Sequence, residues 1–177
     1  LEALVAFAGQ NHYDIVSPAI REGEMNYDIE AYAREFTGAM SQVVRNGVAN
    51  GICFMVRRAV FEKTGLFDEN FRIGQFEDTD FFLRARRAGF RLATTGCAFI
   101  HHFGSITQNS IRKEKKVRPY EEENRAYFRR KWNLNSPKRL MMRMRTKSAH
   151  NFARWSERLR HGHSLNEKWI GGKLHYY

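Results

Sequence analysis

Four stretches carry the reading of this chain: Asn50-Gly-Ile-Cys-Phe-Met-Val-Arg-Arg58, Gly65-Leu-Phe-Asp-Glu69, Phe76-Glu-Asp-Thr-Asp-Phe-Phe-Leu-Arg84 and His101-His-Phe-Gly-Ser-Ile-Thr107. The first sets a turn-forming Asn-Gly within an apolar run, which reads as a buried strand over 48–56. The third puts an acidic cluster at the start of a helix. Asp78 or Thr79 suits its N-cap, Phe81, Ala85 and Ala88 fall on one face, and Gly89 stops it. The fourth ends a strand in a histidine pair. Between them, residues 58–64 predict a short helix closed by Gly65, and residues 90–95 and 98–101 two strands broken at Gly96.

Working outward, residues 1–8 read as a helix stopped by Gly9, and residues 12–17 as a short strand ended by Pro18. Residues 21–28 read as loop. Ile29, Ala33, Phe36, Met40 and Val43 recur near helical spacing, which predicts a helix over 29–44. Residues 66–75 read as loop, 112–131 as a charged helix or helix pair, and the chain beyond Pro137 as a last helix. Strands and helices alternate, so the expected fold class is α/β.

Composition sets the bounds. A chain of 177 residues with 14% aromatics and few prolines can bury one real core. Its longest apolar runs, residues 4–8 and 52–56, fall far short of the roughly 20 residues that span a bilayer. No basic region precedes an apolar stretch at residues 1–9, so no signal peptide is read there. Cys53 and Cys97 lack metal-ligand spacing and fit buried thiols of a cytosolic protein, with a disulfide the alternative. Charge is uneven: residues 1–110 hold 11 Lys and Arg against 13 Asp and Glu, whereas residues 111–177 hold 19 against 6. The net charge of +11 thus belongs to the C-terminal segment, which calls for an anionic partner.

Each candidate site residue has a structural and a chemical reading. Glu77, Asp78 and Asp80 complement the unpaired N–H groups of a helix start, and Asp80 with Arg84 forms a favourable i,i+4 pair. Alternatively, one of these carboxylates faces a cleft and takes a proton from an incoming hydroxyl. His101 and His102 suit a half-buried strand end. They also suit a divalent-cation site, since neutral imidazole and carboxylate oxygen are acceptable ligands for Mn²⁺ or Mg²⁺. Asn50-Gly51 suits a plain turn, or a place where a sugar nears the backbone because glycine has no side chain.

Taken together, the apolar strand ending in Arg57-Arg58, the Gly-Leu-Phe-Asp-Glu turn, Glu-Asp-x-Asp-x-x-x-Arg, Ala88-Gly-Phe-Arg-Leu92 and His-His-Phe-Gly-Ser resemble the second half of a family 2 glycosyltransferase. Asn124-x-x-x-Phe128-x-x-Lys131-Trp132 resembles a segment that follows the histidine in that family, and the likeness spans about residues 12–133. The resemblance implies a partial GT-A, Rossmann-like domain over residues 1–110, with a basic, mainly helical extension over 111–177. It implies inverting transfer of a sugar from a nucleotide-diphosphate donor to an acceptor hydroxyl, in cell-surface glycan or glycoconjugate synthesis. Asp78 would be the base. Glu77, Asp80 and Arg84 would orient acceptor and base, and Asn50 and Gly51 would lie near the sugar. His102, or else His101, would help hold the divalent cation. The family's nucleotide-binding first half, with its Asp-x-Asp motif, has no counterpart here, so these 177 residues alone are expected not to transfer sugar.

Met141, Met144, Phe152, Trp155 and Leu159 are spaced 3, 8, 3 and 4 apart, an apolar stripe on a helix whose residues 138–160 hold eight Lys and Arg and one acid, Glu157. Such a helix either lies on an anionic membrane surface, as a lipid-linked acceptor would favour, or packs its stripe on the domain. The expected location is cytoplasmic, with peripheral attachment at the inner face of the membrane. The competing reading is a non-catalytic basic module for an anionic partner, either nucleic acid or a membrane surface. No nucleic-acid recognition motif is present, so nucleic acid is not the expected partner.

Overall fold

The computed structural model describes residues 1–72, 75–104, 119–134 and 137–176. It is a mixed α/β fold built on one sheet. In chain order the elements are α1 (Glu2–Asn11), β1 (Ile15–Glu22), α2 (Ile29–Met40), β2 (Val44–Asn46), β3 (Met55–Val56), α3 (Arg58–Thr64), α4 (Glu77–Arg87), β4 (Leu92–His102), α5 (Pro119–Lys131), α6 (Pro137–His161), β5 (Asn166–Ile170) and β6 (Lys173–Tyr176).

β1 is the central strand. It runs parallel to β4 along its whole length, while its other edge is shared between antiparallel β3 at Ile15–Val16 and parallel β5 at residues 20–22. β2 extends the sheet beyond β4, and β6 extends it beyond β5. Both faces of β1 are covered, and its side chains alternate accordingly. Ile15 packs with Val60, Phe81, Phe82, Ala85 and Leu92 under α3 and α4. Val16 packs on the opposite side with Leu4, Ala8, Tyr13 and Ala93 against α1. Further along, Ala19 joins Phe36, Met40 and Leu165.

Several boundaries move from their sequence-based positions for identifiable reasons. β1 does not end at Pro18 but runs to Glu22. The register with β4 shifts there, Pro18 pairing with Thr95 and Ala19 with Phe99, so the residue without an N–H sits at a bulge that tolerates it. Gly96 likewise does not split β4. It lies where the backbone of Met40 presses on the strand, and a Cβ there would collide with it. α1 continues through Gly9 to Asn11, and His12 takes the left-handed conformation at its end. α2 stops at Met40, short of Val44, which opens β2. Of the strand expected over 48–56, only Met55 and Val56 pair; residues 48–54 form an irregular, partly exposed connection. The helix expected over 112–131 is present from Pro119, and residues 112–118 lie outside the described residues, as do Ser105 and Thr107. Cys53 and Cys97 are free and half-buried.

The C-terminal segment contributes to the sheet and to the core. β5 and β6 form a hairpin over Gly171-Gly172, both at positive φ, as a two-residue turn between twisted strands requires. Two buried carboxylates fasten this segment. Glu157 of α6 accepts from Arg45 of β2, from the Ser164 hydroxyl at 2.9 Å and from the Leu165 N–H at 3.1 Å. Glu167 accepts from Tyr32 of α2 and from the Ser164 N–H. The sheet therefore crosses the boundary expected near residue 110.

Candidate active-site cleft

A cleft of about 390 Å³ opens at the C-terminal end of β1. Its walls are the connection of residues 47–52, one side of α4 and Asn166 of β5, with Ile20 and Glu22 contributed by β1. The volume is near the lower end of the range for small-molecule sites, enough for a sugar-sized group.

The cleft assembles residues far apart in sequence. Ser17 Oγ of β1 accepts the Asn50 N–H at 3.0 Å, and the Asn50 amide donates to the Pro18 carbonyl at 3.0 Å, beside the bulge. The Asn50 side chain is thereby committed to holding the connection on β1. This places Gly51 against the start of α4, where a Cβ would collide with the Asp78 carboxylate. Asp78 is half-buried and lines the cleft, and its Oδ1 accepts from the Thr79 N–H at 2.6 Å and the Thr79 hydroxyl at 3.2 Å. One oxygen is thus fixed by the helix start, and the other is aimed at Gly51.

The neighbouring acids are placed otherwise. Glu77 accepts from the Gln75 N–H and shapes the entry to α4, whose N-cap Phe76 has a left-handed backbone. Asp80 is fully buried and faces away from the cleft. It accepts from Arg84 Nε, Trp132 Nε1 and Lys131 Nζ, each at 2.8 Å. Arg84 also donates to the carbonyls of Thr64 and Leu66. Both Asp80 and Arg84 are therefore taken up in joining α4 to α5 and to the turn after α3. Asp68, which binds Lys131 at 2.6 Å, extends this hub. Burial works against its charge, but hydrogen bonds from Lys131, Asn70 and Tyr127 hold its carboxyl well below the usual carboxylate range.

The two histidines also part company. His101 has both ring nitrogens engaged, with the Tyr27 hydroxyl at 2.6 Å and the Gly23 carbonyl at 3.1 Å. Burial lowers its pKa, outweighing the hydrogen bond with the Gly23 carbonyl, and the Arg21 charge adds to the lowering. His102 is opposite Glu22 in the sheet register. Its Nδ1 is buried without a hydrogen bond, 3.9 Å from the Glu22 carboxylate, which in turn pairs with Lys168 at 3.1 Å. His102 and Glu22 are thus two potential ligands side by side. Among the described residues, no group of three or more His, Cys, Asp or Glu side chains is arranged to hold a metal ion.

Sequence reasoning missed Glu22, Thr79, Arg86 and Asn166 as cleft residues. Arg86 had a local signal: Asp78, Phe82 and Arg86 are four apart and share one face of α4. Glu22 and Asn166 had none, because they arrive through the non-local pairing of β1 with β5. Arg86 is exposed and gives the cleft lining a cation on the same face of α4 as Asp78.

No protein-family model, curated protein or solved structure matches this chain.

Proposed function

We propose that the chain forms the acceptor side of an inverting glycosyltransferase resembling family 2, acting with a nucleotide-diphosphate sugar as donor and a glycan or lipid-linked hydroxyl as acceptor in cell-surface glycan or glycoconjugate synthesis. The observation that carries this reading is the seating of Asp78. A carboxylate held by a helix start lines a sugar-sized cleft, beside a glycine that leaves room for it. In this reading Asp78 removes the proton of the acceptor hydroxyl as that oxygen attacks the anomeric carbon. The bond from that carbon to the diphosphate breaks, and the nucleoside diphosphate leaves with its electron pair. Thr79 fixes the base, and Arg86 supplies positive charge on the same side of α4.

Glu77, Asp80 and Arg84 serve the site by fixing the start and the course of α4. Asn50 serves it by holding Gly51 in place. His102, whose Nδ1 is buried without a hydrogen bond, and Glu22 beside it would help to hold a divalent cation, Mn²⁺ or Mg²⁺, which would offset charge on the leaving group. His101 is left out of this role by its two existing hydrogen bonds.

The test is turnover of a panel of nucleotide sugars by the whole gene product, with donor binding followed by calorimetry. Asp78→Asn is expected to abolish transfer and leave donor binding intact. Transfer that survives removes Asp78 as the base, and failure of every nucleotide sugar to bind removes the reading.

A further inference from the structure

α6 is a 25-residue helix whose described residues are buried on one side. Glu157 is buried and paired with Arg45 at 2.6 Å, and Arg154 reaches the Tyr176 carbonyl at 3.1 Å. The opposite side carries the apolar stripe, and among the described residues none covers it. Met141 is 61% exposed, Met144 64%, Phe152 67%, Trp155 58% and Leu159 71%, and the Phe152 and Trp155 rings lie 6.0 Å apart. The amphipathic pattern therefore does not serve the core of this fold. A row of large apolar side chains left in water marks an interaction surface.

The charges around the stripe identify its partner. Of the nine charged residues in 138–160, eight are Lys or Arg, and the single acid is neutralised on the inner side by Arg45. Lys147 and Arg160 are exposed on the flanks of the stripe. A protein partner would need an acidic groove with an apolar floor. An anionic bilayer offers both at once, acyl chains for Phe, Trp, Leu and Met and headgroups for Lys and Arg. Among the described residues no helix is long and apolar enough to cross a membrane, so the contact is one of lying on the surface.

We propose that the outer face of α6 is a membrane-docking surface, which seats the protein on anionic lipid with Phe152, Trp155 and Leu159 at the level of the headgroups. The inner face of the same helix leads to the cleft: Glu157 binds Arg45, which donates to Asn166 of the cleft wall at 3.4 Å. Docking thus fixes the cleft relative to the bilayer, and this holds whether or not the cleft transfers sugar.

Co-sedimentation and tryptophan fluorescence with vesicles of phosphatidylcholine alone, and of phosphatidylcholine with phosphatidylglycerol, test the proposal. The protein is expected to bind the anionic vesicles, with a blue shift that Trp155→Phe removes, and to release as salt rises. Phe152→Ser with Trp155→Ser is expected to weaken binding about tenfold or more, while far-ultraviolet circular dichroism stays unchanged because both side chains are already exposed. Lys147→Glu with Arg160→Glu should weaken binding to anionic vesicles alone. Failure to bind either vesicle overturns the proposal, and so does binding that the double serine variant leaves intact. A dimer dispersed by that variant, or oligonucleotide binding, in a protein that ignores vesicles would instead assign the face to a second copy or to nucleic acid.

Discussion

The two sides of α4 carry carboxylates only two residues apart, and they do unlike work. Asp78 looks into the cleft, half-exposed, with one oxygen held by Thr79 and the other against Gly51. Asp80 looks toward α5, fully buried, with Arg84, Lys131 and Trp132 around it. A step of two residues turns a helix by about 200°, so the first turn of α4 presents one acid to solvent and ligand and the other to the protein interior. The comparison teaches that an acidic motif is not one site. Its members are sorted by the helix on which they begin, and their burial decides which of them is free to meet a substrate.

The largest effect that would sharpen this contrast is on stability. Asp80→Ala removes a buried acceptor shared by two cations and an indole N–H; Arg84 keeps its carbonyl acceptors and Lys131 keeps Asp68, but Trp132 Nε1 loses its partner. Breaking such a cluster costs several kcal/mol; because Arg84 and Lys131 retain some exposure, about 3 kcal/mol is expected in urea unfolding. Asp78→Asn keeps an acceptor for the Thr79 N–H and loses only a charge at a helix start, so about 0.5 kcal/mol is expected in the same experiment. Equal losses in the two variants would mean that the sides of α4 are not distinct.

A smaller change separates position from identity on the cleft side. Gly51 has no positive φ, so the cost of Gly51→Ala comes from the collision with the Asp78 side chain. The Asp78 Cβ is part of the collision, so rotating the side chain does not relieve it and the backbone must shift; stability should fall by about 2 kcal/mol. The displaced carboxylate should nevertheless cost the proposed transfer about a hundredfold, in keeping with the penalty for misplacing a reacting group by about an ångström. Measuring the transfer rate and the urea midpoint on the same preparation checks both. An unchanged rate would show that Asp78 does not act from its present position.

How much of this was legible in the sequence varies with the range of the interactions. α3 and α4, with their acidic start and glycine stops, follow from local patterns: Arg58–Thr64 lies where spacing placed it, and Glu77–Arg87 starts within two residues of its expected cap. The i,i+4 partnership of Asp80 and Arg84 was equally readable. What local pattern misjudged was decided by tertiary packing. Residues 48–54 have strand composition, yet Asn50 is drawn onto β1 by hydrogen bonds to Ser17 and Pro18, which only the folded sheet supplies. β5 and β6 carry a hairpin signal in Ile170-Gly-Gly-Lys173, but the basic helix before them dominates the local pattern and points to a mainly helical tail. The α6 stripe was legible as amphipathic, but periodicity is the same whether a helix faces a core, a membrane or another chain, so its exposure had to come from the fold.

The gentlest probe contrasts the cleft acid with two half-buried histidines, His101 of β4 and His150 of α6, and it uses pH alone. His101 sits between the Tyr27 hydroxyl and the Gly23 carbonyl, and burial lowers its pKa from the ordinary histidine value of about 6.5. His150 is lowered for the same first reason, with Arg45, Arg154 and Arg86 adding to it. A base whose folded-state pKa is depressed binds fewer protons in the native than in the unfolded chain between the two values. The native state therefore loses stability as pH falls from about 6.5 toward the lowered pKa, and regains none on the way. Thermal unfolding followed between neutral and mildly acidic pH should show this decline, and His101→Asn should flatten part of it by removing one of the two titrating rings. Asp78→Asn should leave the same profile unchanged, since no hydrogen bond or ion pair joins Asp78 to either histidine. A decline that tracked Asp78 instead would place its carboxylate, and not the strand-end imidazole, at the centre of the acid response.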